Sequence, residues 1–481
     1  MALLAMVALL FFLVAPLFWI FNLIVASRKE TPAQALQIPP GNLGWPLIGE
    51  TFRYAVQSGS TFYDERVAKY GAVFKTSLFG SKTVVLPAPE GNRLILMNEN
   101  KLVSVSYPKS VSVLLGENSL IALRGDEHRR SKALLMTFLR PEMLQKFVGR
   151  VCKVVHDHLQ KFWSGGDEVI RVYNLMKMFT FALACDLLMG LDIGDEEMEF
   201  LARDFDTLVR GLFQLPIDLP GTQFCRAKAA RKKLDQCFDR HIREKRRELA
   251  GSFRARSHEQ DMLEVLLTTR DENGEFSTDL AIKDNIVSLL FAGHDTSSVA
   301  LTWTLKFLAD SPSCMDKVVQ ENLAVRSSRS SSELSWEDLR KLKYTWQVVQ
   351  ESMRMRPPVG GGFREALVDL EFDGYVVPKG WKLNWTTATS YRKPEFFVEP
   401  NKFDPSRFDG GNGIAPYTFL PFGAGARMCP GSEFAKMEIL VFLHYCVLQF
   451  DWKLLEPNEQ VIIDPMPRPV HGMPVRISKR N

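Results

Sequence analysis

The chain has 481 residues, 46% of them hydrophobic and 24% charged, with a formal net charge of +4. This composition can bury a large core, which excludes a disordered chain, and the small net charge offers no electrostatic footprint for a nucleic-acid partner. Seven cysteines, at 152, 185, 225, 237, 314, 429 and 446, form neither a CxxC pair nor a small disulfide framework, which fits a reducing compartment.

Residues 1–27 carry no charged side chain, a run longer than the roughly 20 residues that a spanning helix needs. Arg28 and Lys29 follow the run instead of preceding it. The expectation is an uncleaved single-pass anchor with the body on the cytoplasmic side. Residues 28–50, basic and then proline-rich in "IPPGNLGWPLIGE", predict a semi-rigid hinge, and residues 51–481 one large globular body.

Within the body, "AVFKTSLFGSKTVVLP" from Ala72 predicts short strands broken at glycine. Apolar residues at helical spacing predict helices over 141–163, 176–190, 224–250, 280–309 and 432–449. The basic stretch from Arg226 to Leu249 places Leu234, Phe238 and Ile242 on one face, so its charges form a solvated face, with anionic lipid as the alternative contact. "FQLPIDLPG", Phe213 to Gly221, is either a surface turn or a loop that dips into a membrane. A serine-rich loop ends at Ser335 and Asp338, spaced as a capping box. "EFDGYVVPKGWKLNWTT" from Glu371 predicts further short strands. The fold class is therefore mainly α with a small β region.

Near the end stands "PFGAGARMCPG", residues 421–431. Gly423 and Gly425 begin a G-x-G, but Met428 occupies the third glycine position of a dinucleotide fingerprint, and no G-K-[ST] follows for a phosphate loop. Two readings remain: a structural turn around an inert core cysteine, or a thiolate ligand just ahead of a helix start. Small residues at Gly423, Gly425 and Gly431 would let backbone approach a flat macrocycle, with Arg427 meeting an anionic propionate.

The string Phe422, Gly425, Arg427, Cys429 and Gly431 resembles the haem-binding signature F-x-x-G-x-R-x-C-x-G of the cytochrome P-450 family of haem-thiolate monooxygenases. The resemblance implies a triangular helical prism, haem b with Cys429 as the axial ligand, and a family reaction that puts one oxygen atom of O₂ into a C–H bond. Electrons would come from NADPH through a membrane reductase, with a cytochrome b-type protein as a second donor.

Further motifs follow the family order. "AGHDTS", Ala292 to Ser297, interrupts an apolar helix; by itself it reads as a satisfied buried polar pair, and by resemblance Asp295 and Thr296 manage protons for O–O cleavage. "ESMR" pairs Glu351 with Arg354 at i, i+3, an ordinary surface pair by spacing alone, whereas in the family the pair is buried and joined by an arginine matching Arg407 in "FDPSRF". His128 and Lys132 in "GDEHRRSK" and Arg364 in "GFREA" match propionate-binding positions; Lys132 stands where arginine is commoner and lacks the bidentate fork. For the pocket, the resemblance suggests Val359, Gly360 and Gly361, together with Val287, Leu290 and Phe291 on the oxygen helix.

The resemblance covers nearly the whole chain. "GGFREALVDLEFDGYVVPKGWKL" and "IAPYTFLPFGAGARMCPG" are similar to the plant microsomal group that oxidises triterpenoid, diterpenoid and steroid skeletons in the endoplasmic reticulum membrane. A small apolar substrate arriving from membrane lipid is implied. Two alternatives differ in class: a haem-thiolate isomerase or dehydratase of oxidised lipids, and a membrane-anchored binding protein without turnover. NADPH-dependent product formation separates them.

Overall fold

The computed structural model describes residues 37–480 apart from 47, 58, 165–167, 191–193, 252–259, 271–273, 330–332 and 411–412. The expected anchor, residues 1–27, and the start of the hinge lie outside the described residues.

Helix dominates, as the apolar periods require. The helices that frame the site are α1 (Pro89–Met97), α2 (Gly125–Leu139), α3 (Pro141–Phe162), α4 (Val172–Met189) and α5 (Asp195–Val209). They continue with α6 (Gln223–Gly251), α7 (Asp279–Leu290), α8 (Thr296–Asp310), α9 (Lys343–Met355) and α10 (Ser432–Gln449). Proline opens α1 and α3, where a missing N–H removes no intrahelical bond. Gly190 ends α4 in the left-handed region, at φ 59° and ψ 31°. Ser335 and Asp338 form the expected reciprocal cap.

The stretch expected as one helix over 280–309 is interrupted. Between α7 and α8 lies a π-helical segment, Phe291–Asp295, where the ladder widens by one residue. The Thr296 hydroxyl donates to the Ala292 carbonyl at 2.6 Å, satisfying an acceptor at the irregularity.

The core is the seam between these helices: α10 packs on α3, and α8 packs on α4 and α9. Phe179, Leu183, Leu301, Leu305, Leu440 and Phe442 are fully buried there, each such side chain worth about 1.5–3 kcal/mol in transfer from water. Among the described residues α4 alone is long and apolar enough to cross a membrane, but most of it is buried against its neighbours, as a core helix is.

The β strands are β1 (Phe74–Leu78), β2 (Ser81–Leu86), β3 (Val103–Val105), β4 (Val169–Arg171), β5 (Gly361–Ala366) and β6 (Leu370–Phe372). After them come β7 (Tyr375–Val377), β8 (Lys382–Thr386), β9 (Phe450–Leu454), β10 (Val461–Ile463), β11 (Pro467–Pro469) and β12 (Pro474–Lys479). One sheet has the order β1-β2-β8-β5-β3, with only β2 and β8 parallel; β4, β12 and β9 form a second, antiparallel sheet.

The later part of the proline-rich segment is fastened to the first sheet. Lys75 N–H donates to the Pro40 carbonyl and Glu50 N–H to the Ser77 carbonyl, both at 2.8 Å. The Glu50 carboxylate pairs with buried Arg66 at 2.5 Å.

On α6, Leu234, Phe238 and Ile242 are buried, as their spacing predicted. Part of its basic face is answered within the chain: Lys245 pairs with Asp261 at 2.6 Å and Arg246 with Asp279 at 2.5 Å.

Candidate active site

The cysteine loop closes on itself ahead of α10. Cys429 N–H donates to the Phe422 carbonyl at 2.9 Å, and Gly425–Arg427 makes a single 3-10 turn between them. The Phe422 ring stacks on Trp346 at 12° and 6.5 Å between centroids. Gly425 has φ +68°, and a side chain there would overlap the Leu96 carbonyl of α1. Gly423 has the same φ with no atom of the described residues within 4 Å of a would-be Cβ. Burial pushes the Cys429 thiol up, while the Gly431 N–H and the Lys132 charge pull it down. A soft metal that displaces the thiol proton would find its thiolate already supported.

Cations gather beside this loop. Arg427 donates from Nε to Glu99 at 3.2 Å and from its terminal nitrogens to the Leu123 and Leu120 carbonyls at 2.5 and 3.5 Å. Arg364 Nε reaches the other Glu99 oxygen at 2.6 Å. Lys132 donates to the carbonyls of Ala426 and Met428 at 2.9 and 3.0 Å, so it also braces the cysteine loop. Buried His128 is lowered to about 4, first by burial and then by the charges of Arg427, Lys132 and Arg364.

Around a neutral histidine, Arg364 and Arg427 therefore share the carboxylate of Glu99, and Lys132 adds a third cation held by backbone carbonyls. That surplus fits a bound dianion, and with the glycine loop and the supported cysteine it fits haem and its two propionates.

The pair Glu351 and Arg354 is buried, as the resemblance implied. Two parallel bonds join them at 2.7 and 2.8 Å, with exposures of 0% and 1%. Arg407 Nε adds a contact to Glu351 at 3.2 Å, and Arg354 donates to the Tyr391 carbonyl at 2.7 Å. The Tyr391 hydroxyl in turn accepts from Leu420 N–H at 2.8 Å, next to the start of the cysteine loop. Each carboxylate oxygen and guanidinium edge is partnered, which is the condition for burying such charges.

On the π segment, buried Asp295 pairs with Lys177 of α4 at 3.2 Å, and Lys177 reaches Asp206 of α5 at 2.7 Å. Asp295 Oδ2 is buried without a hydrogen-bond partner among the described residues. Among the described residues no atom lies within 4 Å of a would-be Cβ on Gly293, so this turn of helix leaves room beside Thr296. Behind it, the Ser297 hydroxyl donates to Glu438 of α10, a carboxyl pushed up to about 8 by burial.

The suggested pocket residues are distributed unevenly. Val287 and Leu290 are buried in the main core, Phe291 is half-buried, and Val359 is 46% exposed. Gly361 lies in β5 opposite Thr386, where a side chain would overlap the Trp385 carbonyl. Close strand packing accounts for that glycine. At Gly360 the nearest atom to a would-be Cβ is Pro357 Cγ at 3.8 Å, so this position is open.

Glu99, Lys177, Ser297 and Glu438 were not picked out from the sequence. Glu99 sits in "MNENKLV", which reads as a surface turn, and its partners lie 265 and 328 residues away. Glu438 is an acid set in the apolar run of α10, and that setting is the sequence signal of its burial.

The chain is 42% identical over 468 residues to the taxane 13-alpha-hydroxylase of Taxus cuspidata, covering 95% of each. It is 41% identical over 473 residues to a beta-amyrin 28-monooxygenase of Medicago truncatula, covering 97% of this chain and 96% of the relative. A solved structure, retinoic acid bound cyanobacterial CYP120A1, superposes with a TM-score of 0.85 at 33% identity, over 93% of this chain and all of that one. The cytochrome P450 family model matches residues 39–477, and the chain belongs to that family.

Proposed function

We propose that this haem-thiolate monooxygenase oxidises the rigid skeleton of a triterpenoid or diterpenoid while anchored to the endoplasmic reticulum membrane. The observation that carries the site is the surplus of buried and half-buried cations, Arg364, Arg427 and Lys132, around His128 and beside Cys429. The substrate class is supported by whole-length relatives at about 40% identity whose names specify taxanes and beta-amyrin.

When bound, haem supplies an iron that activates dioxygen, one atom going to substrate and the other to water. Cys429 Sγ would be its protein ligand. Arg427, Arg364, His128 and Lys132 would hold the propionates, while Phe422, Gly425 and Gly431 shape the cysteine loop. Glu351, Arg354 and Arg407 keep that loop in place through Tyr391. Asp295 Oδ2, buried and without a partner among the described residues, is placed to take a proton that solvent water replaces and to relay it to the Thr296 hydroxyl, which gives its own proton onward. Lys177 fixes the carboxylate for this task. Phe291, Val359 and Gly360 line the substrate space, with Val287 and Leu290 forming the packed wall behind.

Membrane seating is supported by two exposed apolar stretches: Trp45, Phe52 and Val56 on one side, Leu215, Ile217 and Leu219 on the other. Phe79 links them, with ring centroids 6.2 Å from Tyr54 and 6.3 Å from Phe213. Substrate enters from lipid near these stretches. Electrons arrive from an NADPH-dependent reductase in the same membrane, with a cytochrome b-type donor as an auxiliary.

The experiment is co-expression with a reductase in cells that make beta-amyrin, a taxane skeleton or a sterol, followed by product mass analysis. A product heavier by one oxygen from a triterpenoid or diterpenoid is expected. Oxidation of none of them overturns the substrate class; product formed without NADPH overturns the monooxygenase reading.

A further inference from the structure

We propose that Glu197 of α5 with Cys237 and His241 of α6 forms a zinc site, away from the cysteine loop and independent of haem. Cys237 and His241 stand four apart on one helix, so they share a face, and α5 packs against that helix. One ligand atom from each of the three residues lies within 4.8 Å of the others. Glu197 Oε1 is 3.7 Å from Cys237 Sγ and 3.8 Å from His241 Nε2. Tetrahedral zinc with ordinary bond lengths sets its ligand atoms about 3.3 to 3.8 Å apart, so little movement is needed.

The second observation is the histidine itself. His241 is 9% exposed, and its Nε2 is buried with no hydrogen-bond partner among the described residues. Its other nitrogen, Nδ1, lies 3.4 Å from Glu244 Oε2. A proton on Nδ1 shared with Glu244 leaves the Nε2 lone pair facing Cys237 and Glu197. This is how a carboxylate prepares a histidine for a metal. The mixed sulfur, nitrogen and oxygen set suits zinc and disfavours magnesium or calcium, which take oxygen ligands.

An entry path exists. A groove of about 630 Å³ runs along Glu196, Asp204, Lys233 and Cys237, open to solvent. At present the Arg240 guanidinium lies on Glu197 and 3.6 Å from Cys237 Sγ. Arg240 is about half exposed, so that pair is weak and can swing aside for an ion of greater charge. Three protein ligands leave a fourth position for water from the groove. The bound ion cross-links α5 to α6.

The test uses the haem-loaded full chain, stripped with a chelator and titrated with zinc chloride by calorimetry. Binding of one zinc per chain is expected, weakened at least tenfold by Cys237→Ser and by His241→Ala. Glu244→Gln should lose about 10- to 100-fold, Arg240→Ala should bind more tightly, and Cys225→Ser should bind unchanged. Zinc-edge absorption on the wild-type protein should show one sulfur at about 2.3 Å, a readout that needs no variant to fold. No binding, a zinc shell without sulfur, or affinity unchanged in both Cys237→Ser and His241→Ala overturns the proposal.

Discussion

Arg364 Nε lies 2.6 Å from Glu99 Oε2, with both side chains at least 95% buried. The pair joins β5 to the turn before β3, and the same carboxylate also takes Arg427 from the cysteine loop. Glu99 also accepts from Val105 N–H at 3.0 Å, which fixes its orientation. It is the counter-ion of the two guanidiniums that are proposed to hold the propionates.

Replacing Glu99 by Gln should destabilise the haem-free protein by about 3 to 5 kcal/mol, because two buried guanidiniums lose their carboxylate. Haem-loaded protein should lose less, since propionates return the missing charge. Thermal unfolding of both forms measures this. Equal losses in the two forms would count against a shared cradle.

Gly425 and Gly423 have the same backbone conformation but different neighbours, which separates strain from contact. In the haem-free protein Gly423→Ala should cost only the left-handed strain, about 1 to 2 kcal/mol. Gly425→Ala adds an overlap with the Leu96 carbonyl and should cost more, with lower haem retention after purification. Similar stability and haem content in both variants would show that the contact with α1 is unimportant.

Glu438 sets a pH dependence of stability. Its folded value of about 8 stands above the ordinary 4.5, so the protonated carboxyl is the form the fold favours. The stabilisation is complete below the ordinary value and drains away as pH rises through the folded one. Glu438→Gln keeps the shape and the Ser297 partner without the titration. Relative to wild type, the variant should gain up to about 1.4 kcal/mol per pH unit across that window. Denaturant unfolding at several pH values checks it, and parallel wild-type and variant curves would refute the assignment.

Much of the fold was legible because apolar spacing is a local signal. The helices expected over 141–163, 224–250 and 432–449 appear as Pro141–Phe162, Gln223–Gly251 and Ser432–Gln449. The cysteine loop was legible for a different reason: glycines, an arginine and a cysteine crowd into a few positions with no packing pattern to explain them. What stayed hidden depends on distant partners. The π segment comes from a register change that helical spacing does not report. Gly361 looked like pocket volume, but its reason is the Trp385 carbonyl on the neighbouring strand. Glu351 and Arg354 had the right spacing, yet their burial follows from α8 and the Arg407 turn closing on α9 around them.

The central claim is that Cys429, and no other cysteine of α10 or its approach, carries the haem iron. Cys446 is the internal control, fully buried seventeen residues further on, inside α10. The direct measurement is the difference spectrum of reduced protein with carbon monoxide. Wild type and Cys446→Ala should both give the Soret band of a thiolate-ligated haem, and Cys429→Ala should give none. A thiolate-type band that survives in Cys429→Ala, or is missing from wild type loaded with haem, would contradict the account.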